Sequence, residues 1–478
     1  MNSTSETKIN TVINKVGKWL LTLSTVSFVL LFLELSWFNR PAYDDMTGIF
    51  YAKVNSLSQY VIWMYHNISG RWISWAYFYT VMSPATSFND YHFCFFIYHC
   101  LTLLIFIYSV QLIIRIGISN LFGIKISFRF SIVNSILFLA CFYFFTVQNI
   151  ETWWYIGASF MYLQGIVFLL LGVALLLKEE KKIYHYLIVS FCFIYVSSSY
   201  ELYAVITSFL FSIFIVHFIV KNKERISIVR ENKYSLGVIV AFVSLVVAAL
   251  FSVFSSSNIE RRAYYKEFFV DTYKVDYLSV LKSTLLDRKY LVAFVLASVW
   301  LLIGIKLRSS AGVFYNKSRI INTFRFFAFA FISSVIIMLL FQILIMYGIL
   351  IPPRGWAFSS LSWTFLICFS FLISGYHLPA FWQTLQNAIK LIIPVIVFGF
   401  LSFTMINQYK FASVYSKKYD AFINSLIDAK KKNYTGVFYM DKLPDPGMLM
   451  QLDMEDDSHN PQFLKDILGV NFEIKVNK

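Results

Sequence analysis

Long apolar runs separated by short charged connectors dominate the chain, and their spacing predicts membrane-spanning helices rather than a water-soluble core. A helix needs about 18 or more apolar residues to cross roughly 30 Å of hydrocarbon. An open sheet would leave its backbone unpaired in lipid, and these runs lack the short alternation of barrel strands. The fold expected is an all-α polytopic membrane protein with about eleven spans, ten and twelve bounding the count. They fall at 19–38, 91–114, 130–147, 155–177, 183–200, 202–220, 235–255, 290–306, 327–350, 357–376 and 388–406. Almost no loop joins the fifth to the sixth. The first reads as an uncleaved helix, because Trp19 to Phe38 exceeds a signal-peptide core and ends without a small-residue cleavage site.

Two connectors carry patterns of their own. In 39–90, the stretch from Ile49 to Asn67 alternates apolar and polar positions at helical spacing, and the apolar stretch from Trp72 to Met82 is too short to span. Both read as helices lying in or dipping into the membrane interface. The connector 256–289 has a similar amphipathic, aromatic character over 259–289. Residues 407–478 are soluble in composition, with turns marked by Pro444, Pro446 and Gly447, and are expected to form a small region beyond a 1–406 membrane domain. No internal repeat of the transporter kind is visible.

Composition sharpens this picture. The 478 residues are 58% hydrophobic and only 14% charged, against about half and a quarter in soluble domains. The net charge of +15 would suggest nucleic acid if it formed a patch, but it is spread over short loops. Twenty Lys and Arg fall on the N-terminal side of the predicted spans and eleven on the other, seven of them in 256–289. That bias predicts a cytoplasmic N-terminus, and an odd span count then puts 407–478 outside. Cys94, Cys100, Cys141, Cys192 and Cys368 lie in apolar segments and read as buried thiols, with no zinc-ligand spacing. P-loop and Gly-x-Ser-x-Gly motifs are absent.

Candidate chemistry gathers on the outer side. Asp44 and Asp45 follow the first span within a few residues; adjacent carboxylates suit a general base with a neighbour tuning it, or a solvated turn after Pro41. Arg71, in Gly-Arg-Trp, suits a phosphate or a headgroup. Glu151 opens Glu-Thr-Trp-Trp-Tyr, where Trp153 and Trp154 offer either sugar-stacking faces or an interfacial belt. Glu201 lies between two closely joined helices. Arg261, Arg262 and Arg354 sit at the same membrane level and suit a lipid-linked phosphate or ordinary headgroups. In the tail, Asp453, Glu455, Asp456, Asp457 and His459 suit an acceptor or a divalent cation, or simply an acidic surface loop.

Taken in order, the acidic pair, Gly70-Arg71-Trp72, the run from Glu151 to Leu163, and Ser198-Ser199-Tyr200-Glu201 resemble the polytopic bacterial glucosyltransferases of serotype-conversion systems, which modify O-antigen. One departure is Ser256-Ser257-Asn258 where related proteins often carry Pro-Gly-Asn. The resemblance implies a C-superfamily glycosyltransferase of the bacterial inner membrane. Such an enzyme passes a hexose, glucose in the namesake proteins, from undecaprenyl phosphate to O-antigen or another surface glycan on the periplasmic face, inverting the anomeric centre. It implies Asp44 or Asp45 as base, Arg71, Arg261, Arg262 and Arg354 at the donor phosphate, and Glu151, Glu201 and the indoles at the sugar. It implies no firm cofactor, a divalent cation being an open alternative. The rival expectations are a flippase or exporter of lipid-linked glycans and an O-antigen polymerase.

Overall fold

The computed structural model describes residues 3–42, 44–85, 87–146, 149–178, 182–221, 233–260, 288–311, 353–377, 383–452 and 460–476, with positions 332 and 336. The architecture is an all-α polytopic bundle in which eight helices, among the described residues, are long and apolar enough to cross a membrane. The expected span 327–350 lies outside the described residues but for positions 332 and 336.

Helix α1 (Ser3–Phe38) leads into three short helices, α2 (Asp44–Val54), α3 (Leu57–Asn67) and α4 (Trp72–Met82). The single helix expected over 49–67 is therefore divided. Asn55-Ser56 breaks it, and the Gln59 side chain accepts the Ser56 backbone N–H at 3.1 Å, covering one of the donors that a helix start leaves open. Helices α5 (Tyr91–Phe122) and α6 (Phe128–Phe145) follow, the first ending at Gly123 with φ 69°, a conformation glycine adopts without penalty. Next come α7 (Asn149–Trp153), α8 (Ile156–Met161) and α9 (Leu163–Leu177). The span expected over 155–177 is broken at Tyr162, and the Tyr195 hydroxyl donates to the Phe160 carbonyl at 2.8 Å beside the break. Such breaks persist in membranes only where the backbone is re-satisfied by protein.

Helices α10 (Ile183–Ser199) and α11 (Glu201–Lys221) are separated by Tyr200 alone, in extended conformation. Helix α12 (Lys233–Val253) precedes a helical turn at 256–260; the remainder of the connector, 261–287, lies outside the described residues. Helices α13 (Arg288–Ala297), α14 (Val299–Ala311) and α15 (Ala357–His377) complete the second half. α14 and α15 touch backbone to backbone. A Cβ on Gly304 would lie 2.0 Å from the Leu372 carbonyl oxygen, and one on Gly375 2.0 Å from that of Leu301. Small residues let membrane helices approach in this way when lipid offers no hydrophobic drive.

The last long helix, α16 (Gln383–Lys431), runs through position 406 without interruption, so the expected boundary at 406/407 falls inside one helix. It lies parallel to α1: Gly17 meets Lys390 and Pro394, Ser27 bonds Ser402, Phe38 packs on Tyr409, and Arg40 pairs with Asp420. Beyond it, β1 (Val437–Met440) and β2 (Glu473–Val476) form a parallel pair in the register Val437↔Glu473 to Met440↔Val476. The amphipathic α17 (Asn460–Leu468) lies between them in the chain and packs on α2, so the tail is docked onto the first connector.

Replacing Gly375 with leucine is expected to overpack the α14–α15 contact and destabilise the protein by about 1–3 kcal/mol or more. Gly399, which has no atom within 4 Å of an added Cβ, is the control: Gly399→Ala should be neutral or slightly stabilising. Thermal unfolding of both variants in detergent measures the difference.

Candidate functional site

The turn that precedes α4 carries Gly70 and Arg71. A Cβ at Gly70 would stand 2.4 Å from both the Ser252 carbonyl oxygen and Ser255 Oγ, so glycine is what allows the end of α12 to close over this turn. That closure delivers Asn258. Its Oδ1 accepts the Gly70 N–H at 3.4 Å, while its Nδ2 donates to Glu201 Oε1 at 2.8 Å and to the Ser252 carbonyl at 2.6 Å. Glu201, at the start of α11, turns its other oxygen to Arg71, whose Nη2 donates at 3.3 Å.

Arg71 is almost fully enclosed. Its Nη1 donates to Met161 Sδ at 3.0 Å and reaches the Tyr162 hydroxyl at 3.5 Å. The guanidinium lies 5.0 Å from the Tyr200 ring centre and 5.7 Å from that of Tyr162, within range of the attraction between a cation and an aromatic face. Burial alone would pull the Arg71 pKa down, but Glu201, Tyr162 and Tyr200 outweigh it and the net direction is up. The side chain is a fixed cation. Its Nε is buried with no hydrogen-bond partner among the described residues, one donor left uncommitted. The two helix interruptions supply the walls, since Tyr162 divides α8 from α9 and Tyr200 divides α10 from α11.

The acidic pair sits at the other end of α8. Asp45 is wholly buried: Oδ2 accepts the Ala42 N–H at 3.1 Å and Oδ1 accepts the Gly157 N–H at 2.6 Å. Met161, against Arg71, follows Gly157 by four residues, which is one helical turn and about 6 Å of rise. The short α8 therefore contacts a carboxylate and a cation through residues one turn apart. The chain leading to the pair is pinned at each step. Asn39 Nδ2 donates to the Trp154 carbonyl at 2.9 Å, Arg40 grips Asp420 with two bonds of 2.7 Å, and the Tyr419 hydroxyl donates to the Pro41 carbonyl at 3.0 Å.

The other candidates divide. Trp153 and Trp154 are buried core rings packed on Phe32, with Nε1 donating to Thr146 Oγ1 at 3.4 Å and to the Tyr143 hydroxyl at 2.9 Å respectively. In this arrangement they form the wall beneath the loop rather than an open sugar platform; a packed aromatic core claimed faces that the sequence left available. Glu151 is half-buried in the first turn of α7. The turn Pro353–Trp356, which contains Arg354, packs beside α7; the Arg354 side chain, like that of Asp44, lies outside the described part. Arg261, Arg262, Asp453 and Asp456 also fall outside the described residues. Among those described, no cluster of His, Cys, Asp or Glu is arranged to hold a metal ion.

Sequence reasoning missed Asn258, Gly157 and the Met161–Tyr162 wall as parts of the site. Asn258 stands in the motif that departs from the Pro-Gly-Asn pattern, and retaining the Asn was the available signal. Comparison with protein-family models, with curated proteins and with solved structures finds no match for this chain.

Removing one partner of a buried ion pair strands the other, at a cost of about 3–5 kcal/mol. Glu201→Ala should therefore lower the thermal unfolding midpoint sharply, and the double variant Arg71→Met with Glu201→Leu should recover most of the loss. Equal losses in the single and double variants would show that the pair is not what holds this end of the bundle.

Proposed function

We propose that the chain is a membrane glycosyltransferase that moves a hexose from a polyprenyl phosphate to a surface glycan. The observation that carries this reading is that an acid and a cation contact one short helix, Asp45 on Gly157 and Arg71 on Met161. Transfer from a phosphate-linked sugar needs a base for the acceptor hydroxyl and a positive group for the departing phosphate. Asp45 is committed to two backbone N–H groups, so it is the positioning residue and the base is assigned to Asp44. The Asp44 carboxylate takes the acceptor proton as the acceptor oxygen bonds to the anomeric carbon. The bond from that carbon to the phosphate oxygen breaks on the opposite face, and the configuration inverts. Arg71, through its uncommitted Nε, assists the phosphate together with Arg261, Arg262 and Arg354; Glu151 and Glu201 bear on the sugar and on Arg71 respectively.

The same reading takes the membrane to be the bacterial inner membrane, the N-terminus to be cytoplasmic, and O-antigen or a related glycan to be the acceptor. The parallel packing of α1 and α16 agrees with an odd number of crossings, and so with eleven. It also supports the tail lying on the side where the acidic pair lies. An exporter of lipid-linked glycans would be expected to interrupt its helices near the midplane. Here the break at Tyr162 comes only six residues after the start of the 22-residue span Ile156–Leu177, about 9 Å from its end.

The test uses purified protein in detergent, where no membrane potential exists, supplied with a polyprenyl-phosphate hexose and glycan acceptor. Wild type should transfer sugar. Asp44→Asn should lower the rate by about 100-fold or more with unchanged unfolding temperature, whereas Asp45→Asn should lower the unfolding temperature as well. Full activity of Asp44→Asn sinks the base assignment. Absence of transfer by wild type, with flipping of the lipid in vesicles, favours the exporter.

A further inference from the structure

A groove of about 600 Å³ runs along the outside of the bundle between α1, α5 and α16. Its length is apolar, walled by Leu30, Leu33, Phe96, Met405 and Ile406. Leu30 and Ile406 are exposed on the protein surface, and both belong to spans, so the groove opens toward lipid chains rather than water.

Two charged side chains, Glu34 and Lys410, line the same groove. Glu34 is the sole charged residue in the run from Trp19 to Phe38. Its Oε1 is buried and has no hydrogen-bond partner among the described residues. An ionisable group set within a membrane helix is costly and calls for a partner. Lys410 is exposed and no ion pair joins it to Glu34, although both line one groove. Their depth is similar. Ser27 on α1 meets Ser402 on the parallel α16, and Glu34 and Lys410 lie seven and eight residues further along, a difference of about 1.5 Å in rise. Trp37 and Tyr409, both exposed, stand beside them, as indoles and phenols do at the membrane–water boundary.

We propose that this groove binds phosphatidylethanolamine, with an acyl chain along the apolar wall, the ammonium on Glu34 and the phosphate on Lys410. The unpaired acid and base are the complement of that zwitterionic headgroup. A choline headgroup has no N–H to give Glu34, and a glycerol headgroup has no positive charge. The proposal does not rest on the transferase reading, because the groove uses none of the residues assigned to transfer.

The experiment is native mass spectrometry of the purified full chain incubated with phosphatidylethanolamine, phosphatidylcholine or phosphatidylglycerol of matched acyl chains. Wild type should retain the ethanolamine lipid in preference to the other two by about tenfold or more in Kd, the effect of a hydrogen bond to a charged group. Glu34→Gln should abolish that preference while still admitting lipid, and Lys410→Ala should weaken retention of every phospholipid. Ile406→Trp fills the groove from the other helix and should displace the lipid without altering Glu34, which keeps the test open if Glu34→Gln folds poorly. Equal retention of ethanolamine and choline lipids overturns the proposal, as does preference for phosphatidylglycerol or retention unchanged by Glu34→Gln and Ile406→Trp.

Discussion

The cation of Arg71 has to be neutralised inside the protein, and much of the architecture around it follows from that requirement. An arginine enclosed by Met161, Tyr162 and Tyr200 is tolerable only with a carboxylate in reach, and Glu201 is that carboxylate. Glu201 in turn needs its second oxygen satisfied, which Asn258 does. Asn258 arrives only because Gly70 leaves space for the end of α12. Four segments far apart in the chain are thus tied at one point by charge and hydrogen bonding, where apolar packing alone would not specify them. Both helix interruptions fall at this tie, and the Tyr162 and Tyr200 rings beside them flank the guanidinium.

A second constraint closes the bundle. The first and last long helices run side by side in the same direction, and at their common end Arg40 and Asp420 form a two-bond ion pair. Asp420 is partly open to water, so the pair adds modest stability, but its fork geometry fixes register. With Asn39 on Trp154 and Tyr419 on Pro41, the segment leaving α1 has little freedom left. Such a connector holds Asp45 against α8 in a fixed position.

The spans were legible because lipid imposes one long-period rule: an apolar run of sufficient length must be a helix. The same rule hid what happens within a run. Nothing in the apolar stretch 155–177 announces a break at Tyr162, where the neighbouring contacts, Arg71 and the Tyr195 hydroxyl, are supplied by other segments. Likewise the tail reads as soluble from its charge, yet α16 carries the membrane helix straight into it and α17 returns it to α2. Among the candidate site residues, Arg71 and Glu201 were visible as charges beside apolar runs, and the structure joins them. Trp153 and Trp154 were equally visible, but tryptophan at a helix start suits a core as well as a sugar platform, and only the rings of Phe32 and Tyr143 decide between these.

Asp45 shows how a short motif can divide its labour. Two adjacent aspartates look interchangeable in sequence, yet one of them is wholly buried and accepts N–H groups from both the preceding turn and α8. Both oxygens of that carboxylate are turned toward backbone donors. Taking a proton there would weaken both bonds and loosen the very contact that sets α8 against the loop. A base must cycle between its two protonation states in every turnover, whereas an anchor must stay in one. Under the proposed transferase reading the two demands fall on different side chains, Asp45 as the anchor and Asp44 as the base.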